Sequence, residues 1–315
     1  MQFPNMVELA IPFFGITLLI EAFLSRFRSD IDYELKDTLA SITMGVGNVL
    51  VGSTVGMLVY YAYVFVYEFR FFDPGFAWWV FPLCFFAEDF AYYWFHRIGH
   101  ESRWFWASHV IHHSSQKYNL STALRQTWTS TITMNFIFHL PLLLLGFPPT
   151  MVLFFQGLSL VYQYWIHTEA IGKMPRWFEA IANTPSHHRV HHATNPRYLD
   201  ANYAGVLIVW DRIMGTFVAE QQTDPPAYGI VKNLKTFNPF RIAFHEWAAI
   251  ARDVTSTRKP EEIARYLFGS PGWSPDGSRQ TTADIKAQWR REQVLPEPAS
   301  GTASEPASEP ASEPA

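Results

Sequence analysis

The sequence predicts an all-α fold, a polytopic membrane helical bundle of about four to five spans. Three observations carry this. Five apolar runs of spanning or near-spanning length punctuate the chain, at about 7–24, 38–66, 76–95, 131–145 and 150–166. Charged residues make up only 17 % of the chain and aromatics another 17 %, whereas soluble domains carry roughly 25 % charged residues. The basic residues are also segregated. With Met1 outside, segments 25–37, 96–130 and 167–315 fall on one side with 3, 4 and 16 Lys or Arg, against Arg70 alone in the opposite loops. Even when the long tail is discounted, this sidedness makes the basic face cytoplasmic.

The first run, Val7 to Leu24, lacks a basic leader and a small-residue cleavage site, so it reads as a retained span rather than a signal peptide. Glu21 lies near its end, within reach of the interface. The second run exceeds the roughly 20 residues a crossing needs and must tilt or project; its Gly52-x-x-x-Gly56 would permit a close helix contact. Asp73-Pro74-Gly75 precedes the third run. Gly146 to Pro149 forms a tight turn that makes the fourth and fifth runs an antiparallel pair. Residues 1–95 are thus expected to hold spans one to three, 96–217 a core containing spans four and five, and 218–294 a cytoplasmic helical region. In that last region Asn238 to Val254 reads as an amphipathic helix, fit to lie on the membrane or to cover a site. The Ala-Ser-Glu-Pro repeat of 295–315 has nothing to bury and is expected to be disordered.

Net charge is −4, so no basic surface proposes a nucleic-acid partner. The single cysteine, Cys84, excludes an intramolecular disulfide and a Cys-ligated iron–sulfur cluster; it reads as a small apolar side chain facing core or lipid.

Eight of the twelve histidines fall in three boxes: His96 and His100; His109, His112 and His113; His188, His191 and His192. Residues spaced i, i+3 and i+4 share one face of a helix, so the imidazoles of several helices can meet at one centre. A lone histidine on an apolar face is usually a core residue, but helical spacing repeated three times at the ends of apolar runs is not. The charge count puts all three boxes on the cytoplasmic face. Eight imidazoles are too many for one ion, so two metals share them. Cysteine-rich zinc and oxygen-only magnesium sites do not fit this donor set, and haem wants isolated histidines. A di-iron centre that activates dioxygen fits best, and it completes the fold class with a cytoplasmic His-box di-iron domain.

Other residues join the boxes as candidates. Asp89 and Tyr93 share a helix face with His96 and His100, which suits groups that orient an imidazole from behind. Glu101, next to His100, is open to three readings: a ligand, a proton shuttle or an exposed carboxylate. His167 ends the fifth run on the box side and is a further candidate ligand. His187 abuts the third box, one residue too early for its spacing. His139, mid-span, and His245 read as structural. Lys117, Asn119, Arg125 and Gln126 could meet a polar head group or serve as loop hydrogen bonders.

The stretches His96–Glu101, His109–Gln126, Pro185–His192 and Asn202–Phe217 resemble the sterol desaturase/fatty acid hydroxylase superfamily, and within it most resemble the alkylglycerol monooxygenase family. That resemblance implies an integral-membrane, non-haem di-iron oxygenase acting on a lipid, with the eight box histidines as metal ligands and Glu101 required as a catalytic residue. It implies two iron ions and an external reductant, either tetrahydrobiopterin or a ferredoxin- or cytochrome-type donor. The expected partners are therefore a membrane lipid and a separate electron donor. Competing expectations are a sterol or fatty-acyl desaturase/hydroxylase, a histidine-lined metal transporter and a zinc-bound scaffold. A transporter would spread ionisable groups across the bilayer rather than gather them at one face.

Overall fold

A computed structural model of the chain describes residues 3–294; the Ala-Ser-Glu-Pro tail lies outside the described residues. Among the described residues every regular element is helical, with isolated bridges in place of strands. The elements are α1 (Met6–Leu24), α2 (Leu35–Tyr67), α3 (Val80–Glu101), α4 (Arg103–His113), α5 (Leu120–Ala123), a 3₁₀ turn (Asn135–His139), α6 (Leu140–Leu144), α7 (Pro149–Trp165), α8 (Arg176–Glu179), α9 (Pro185–His191), α10 (Val209–Met214), α11 (Pro239–Thr255), α12 (Pro260–Phe268) and α13 (Thr282–Val294).

Two of these, α1 and α2, are long and apolar enough to cross a membrane, fewer than the four to five spans expected. Asn5 caps α1 by accepting from the amides of Val7 and Glu8. Both helices leave most of their surface open, with Leu9, Ile16, Leu19, Leu50, Leu58 and Phe65 all more than half exposed. A core helix would bury such residues, so this belt suits hydrocarbon rather than water.

The third run becomes α3, which continues unbroken through the first histidine box. One face is open, while the other buries Cys84, Glu88, Asp89, Tyr93, His96 and His100. The fourth run is not a spanning helix. Met134 adopts a left-handed conformation (φ 54°), Pro141 interrupts the hydrogen-bond ladder, and only a 3₁₀ turn and five α-helical residues form. The segment nevertheless tracks down α2. Trp128 donates to Met44 O at 2.9 Å and Asn48 to Thr127 O at 2.6 Å, Tyr63 donates to Phe136 O at 3.4 Å, and Phe71 N reaches Leu144 O at 2.7 Å. From Asn48 to Tyr63 is about 22 Å of helix, so the irregular chain covers most of the bundle's depth while leaning on protein.

No side chain approaches Gly52 or Gly56, so the expected close helix contact there is absent. The close approach falls at Gly47, where a Cβ would collide with the Trp128 indole. The fifth run forms α7, entered through Gly146 in a left-handed turn (φ 93°). Phe3 packs against Phe81 and Phe154, while further along α1 Thr17 meets Tyr164 and Tyr92 meets Gln163, so α1, α3 and α7 run parallel.

Glu21 is buried rather than interfacial. It accepts from Tyr33 at 2.5 Å and from Leu120 N at 2.7 Å, and it also takes the Thr168 hydroxyl, tying α1 to the histidine end. The amphipathic helix α11 does not stand apart: Ile242 and Ala243 pack with Ile111 of α4 and with Ala40 and Met44 of α2. Arg103 at the start of α4 locks it there, donating to Glu246 at 2.7 Å and Asp253 at 2.6 Å. α11 therefore lies over the histidine end, as one of its two expected placements has it.

Candidate metal centre

Helix ends converge at one pole of the bundle. The C-terminal ends of α3 and α7, the whole of α4 and α9, and the N-terminal turns of α2 lie together there, so all three boxes meet. Nine imidazoles form two groups. His96, His100, His109, His113 and His191 make the first, and His112, His167, His188 and His192 the second; within each, one nitrogen per ring lies within 4.8 Å of all the others. His167, on no box, completes the second group. His187 joins neither: its Nε2 lies 3.9 Å from Glu179 and its ring packs on Phe217.

The split follows from helical geometry. Residues i and i+4 diverge by about 40° around a helix axis, whereas i+3 and i+4 diverge by about 100°. So 96/100, 109/113 and 188/192 each stay together, while His112 and His191 turn to the opposite group. Each H-x-x-H-H box thereby feeds both centres.

The nitrogens meet closely. In the first group Nε2 of His109 lies 3.0 Å from those of His96 and His113, and His113 lies 3.1 Å from His191. In the second, His167 lies 3.1 Å from His112 and 3.0 Å from His188, with His192 3.2 Å from His188. Adjacent donors bound at roughly 2.1 Å to one small divalent ion stand about 3 Å apart at right angles.

Tautomers supply the stronger test of fit. His112 Nδ1 donates to Arg125 O at 3.2 Å, and His167 Nδ1 to Gln163 O at 2.7 Å. A neutral imidazole carries one proton, so both Nε2 atoms present bare lone pairs to each other. That contact is repulsive unless a cation sits between them. His96 Nδ1 likewise donates to Tyr203 O at 2.7 Å and His191 Nδ1 to Ala201 O at 3.0 Å, while His100 Nδ1 lies 3.4 Å from Asp200. Protonation is no alternative. Burial, reinforced by neighbouring imidazoles, holds His109, His113, His188, His191 and His192 well below the usual histidine range. Burial also pushes His112 down to about 4. The donor set fits two imidazole-loving transition metals.

The other candidates fall elsewhere. Glu101 enters neither group; it pairs with Arg97 at 2.9 Å and its side chain is nearly half exposed. Both oxygens of Asp89 are taken by Val206 N, Leu207 N and the Trp210 indole, not by an imidazole. The Tyr93 hydroxyl meets Thr216 at 3.0 Å and Arg97 at 3.3 Å. Asp89 and Tyr93 therefore act on the 201–216 segment, and spacing along α3 could not reveal this.

Each of the four residues proposed for a head group has a partner within the chain. Arg125 is fully buried, donating to Asp37 at 2.5 Å and to Ser41 and Ser114 at 3.1 Å. Asn119 caps α5, Gln126 donates to Ala123 O at 2.8 Å, and Lys117 pairs with Asp32. His139 stays buried beside Glu88 at 3.6 Å. His245 Nδ1 donates to Ile242 O at 3.0 Å, and the residue lines a cavity of about 520 Å³ that reaches His100, His113, His191 and His192.

Comparison with known proteins agrees with this geometry. Residues 81–216 match the fatty acid hydroxylase family. The chain is 40 % identical over 281 residues to the human alkylglycerol monooxygenase, covering 88 % of this chain and 62 % of that protein. It is 37 % identical over 302 residues to the Xenopus tropicalis alkylglycerol monooxygenase, covering 94 % and 66 %. An ornithine lipid hydroxylase of Rhizobium tropici is 28 % identical over 129 residues, 41 % of this chain and 39 % of its own length. The chain thus spans somewhat under two thirds of the alkylglycerol monooxygenases it matches. No solved structure matches it. The chain is thus similar to the fatty acid hydroxylase family over residues 81–216 and to the alkylglycerol monooxygenases over most of its own length.

Proposed function

We propose that the chain is a membrane-bound, oxygen-dependent lipid monooxygenase that hydroxylates a C–H bond of a lipid, as an alkylglycerol monooxygenase does by name. One observation carries the reading: nine imidazoles in two groups, with Nε2 lone pairs facing inward, stand at the end of an apolar helical bundle. In this reading His96, His100, His109, His113 and His191 hold one iron, and His112, His167, His188 and His192 the other. Bound iron supplies the redox chemistry that activates dioxygen against an inert C–H bond. One oxygen atom enters the product and the other leaves as water, which consumes two electrons and two protons from a separate donor.

The chain's own residues set the conditions. Burial keeps the imidazoles neutral, so they remain ligands as the pH falls moderately below 7. In this reading the belt on α1 and α2 supports a multi-pass membrane enzyme that a lipid reaches laterally from the bilayer, and the excess of Lys and Arg at the histidine end supports a cytoplasmic pole. The cavity at that pole has Lys232, Asn233, Glu246 and Arg252 on its wall. We assign this entrance, with its charged side chains, to the external reductant.

The test is lipid mass spectrometry under ¹⁸O₂ on membranes carrying the wild-type chain or His112→Ala. Label in a lipid hydroxyl with the wild type and none with the variant supports the reading. Full activity in the variant, or labelled water with no labelled lipid, defeats it. Loss of two hydrogens without oxygen uptake into the lipid would move the assignment to a desaturase of the same family.

A further inference from the structure

We infer that Asp89 and Asp211 are positioning residues for the first histidine group, acting through the backbone of residues 201–207. The inference rests on the metal reading above. The segment in question, part of Asn202–Phe217, belongs to neither a helix nor a strand until α10 begins. Yet it supplies acceptors to the first group. Ala201 O takes His191 Nδ1 at 3.0 Å, Tyr203 O takes His96 Nδ1 at 2.7 Å, and Asp200 stands 3.4 Å from His100 Nδ1. Two of the five imidazoles in that group therefore have their tautomer and ring plane set by Ala201 and Tyr203, and a third, His100, faces the neighbouring Asp200.

An irregular segment cannot hold such carbonyls still by itself. Asp200 and Asn202 are both left-handed, with φ of 48° and 57°, a conformation that persists only where surroundings impose it. Two buried carboxylates impose it. Asp211 accepts from Tyr203 N and Ala204 N, each at 2.8 Å, and Asp89 accepts from Val206 N at 2.8 Å and Leu207 N at 3.0 Å. Both carboxylates are fully buried, and each has a further donor: Thr216 Oγ1 for Asp211 at 2.6 Å and the Trp210 indole for Asp89 at 2.9 Å. Between the two pairs of amides sits Gly205. A Cβ there would stand 2.8 Å from the Tyr92 ring and 3.2 Å from Asp89 Oδ1, so only glycine lets the segment come this close to α3. Asn202 closes the other side, donating to His187 O and Val218 O and accepting from Val218 N.

No imidazole of the second group hydrogen-bonds to this segment; His112 and His167 use Arg125 O and Gln163 O as their Nδ1 acceptors. The clamp is therefore selective, and selectivity distinguishes positioning from general support of the fold. The experiment titrates the purified, metal-free full chain in detergent with ferrous iron without oxygen, and in parallel with Co²⁺, whose visible absorption reports its coordination. Wild type should take up two equivalents. Asp211→Asn and Asp89→Asn should bind one equivalent as wild type does and the other about 10- to 100-fold more weakly, with Asp211→Glu recovering part of the loss. Adding His191→Ala to Asp211→Asn should change little, whereas adding His188→Ala should remove the remaining equivalent. Two equivalents bound as in wild type, or both weakened alike, would overturn the inference. Thr216→Val, which keeps both carboxylates, applies the same criterion if an Asp variant does not fold. Failure of the wild type to bind metal would instead strike the metal reading itself.

Discussion

In the first histidine group, His96 and His191 donate to the carbonyls of an irregular loop; in the second, His112 and His167 donate to Arg125 and Gln163, residues tied to the membrane helices. Arg125 is anchored to Asp37 of α2, and Thr168, beside His167, is held by Glu21 of α1. The same boxes therefore serve two centres with different supports. One is referenced to the polar region after α7, the other to the helices that face lipid. Of the four metal-group histidines that line the cavity beside His245, the first group supplies three, whereas the second contributes His192 alone. Under the proposed function, chemistry that needs a polar reactant and a lipid together has reason to be built this way, with each histidine group registered to a different part of the fold.

Removing a ligand should break this comparison most strongly. His112→Ala or His188→Ala should lower lipid oxidation by more than about 100-fold, since ligands matter at least as much as the groups behind them. Metal analysis should show the first centre still loaded. Loss of both metals would mean that the groups are one cooperative site.

Breaking the membrane-side support comes next. Arg125→Ala leaves Asp37 buried without its partner at 2.5 Å. Loss of one member of such a pair costs about 3–5 kcal/mol, which a thermal melt in detergent should register, with the second centre losing metal before the first. Loss of the first centre instead would reverse the assignment of supports.

Acid should act on the metal-free protein at moderate strength. Burial lowers His112 to about 4 in the folded chain, below the ordinary histidine value of roughly 6.5 that it regains on unfolding. Between these values the unfolded state binds more protons, so stability is complete above about 6.5 and declines as pH falls toward about 4. Melting temperatures across that window should show the decline, and bound metal should suppress it. A flat profile would contradict the burial.

The smallest effect is expected at Glu101. Its exposed pair with Arg97 should be worth about 0.3–0.5 kcal/mol, so Glu101→Gln should leave the melt and both metal equivalents unchanged. A loss of activity in that variant would then belong to the reaction itself, as the family resemblance implies, and not to assembly of either centre.

How much of this was legible in the chain can be judged residue by residue. Spacing along a helix announced the boxes, because i, i+3 and i+4 positions share a face whatever the helix packs against. It also led to the expectation of two metals, because eight imidazoles exceed one ion's needs, and the imidazoles do fall into two groups. Spacing could not find His167 as more than a candidate, since a ligand outside a box is defined only by where α7 ends. The fourth apolar run misled for a related reason: hydropathy counts side chains and is blind to Met134 and Pro141, which break the helix while neighbours still cover its backbone. Asp89 was read as facing inward, and it does, but its partners lie more than a hundred residues away on a segment with no periodicity of its own.

By itself, then, the sequence determined what depends on local repetition: apolar helices, one histidine-bearing pole and a donor set of imidazoles. The tertiary structure alone decided which imidazole serves which centre, that Arg125 and Glu21 are buried struts, and that residues 201–207 are clamped. Those outcomes rest on hydrogen bonds between distant segments, and no window of neighbouring residues encodes the distance between two chains.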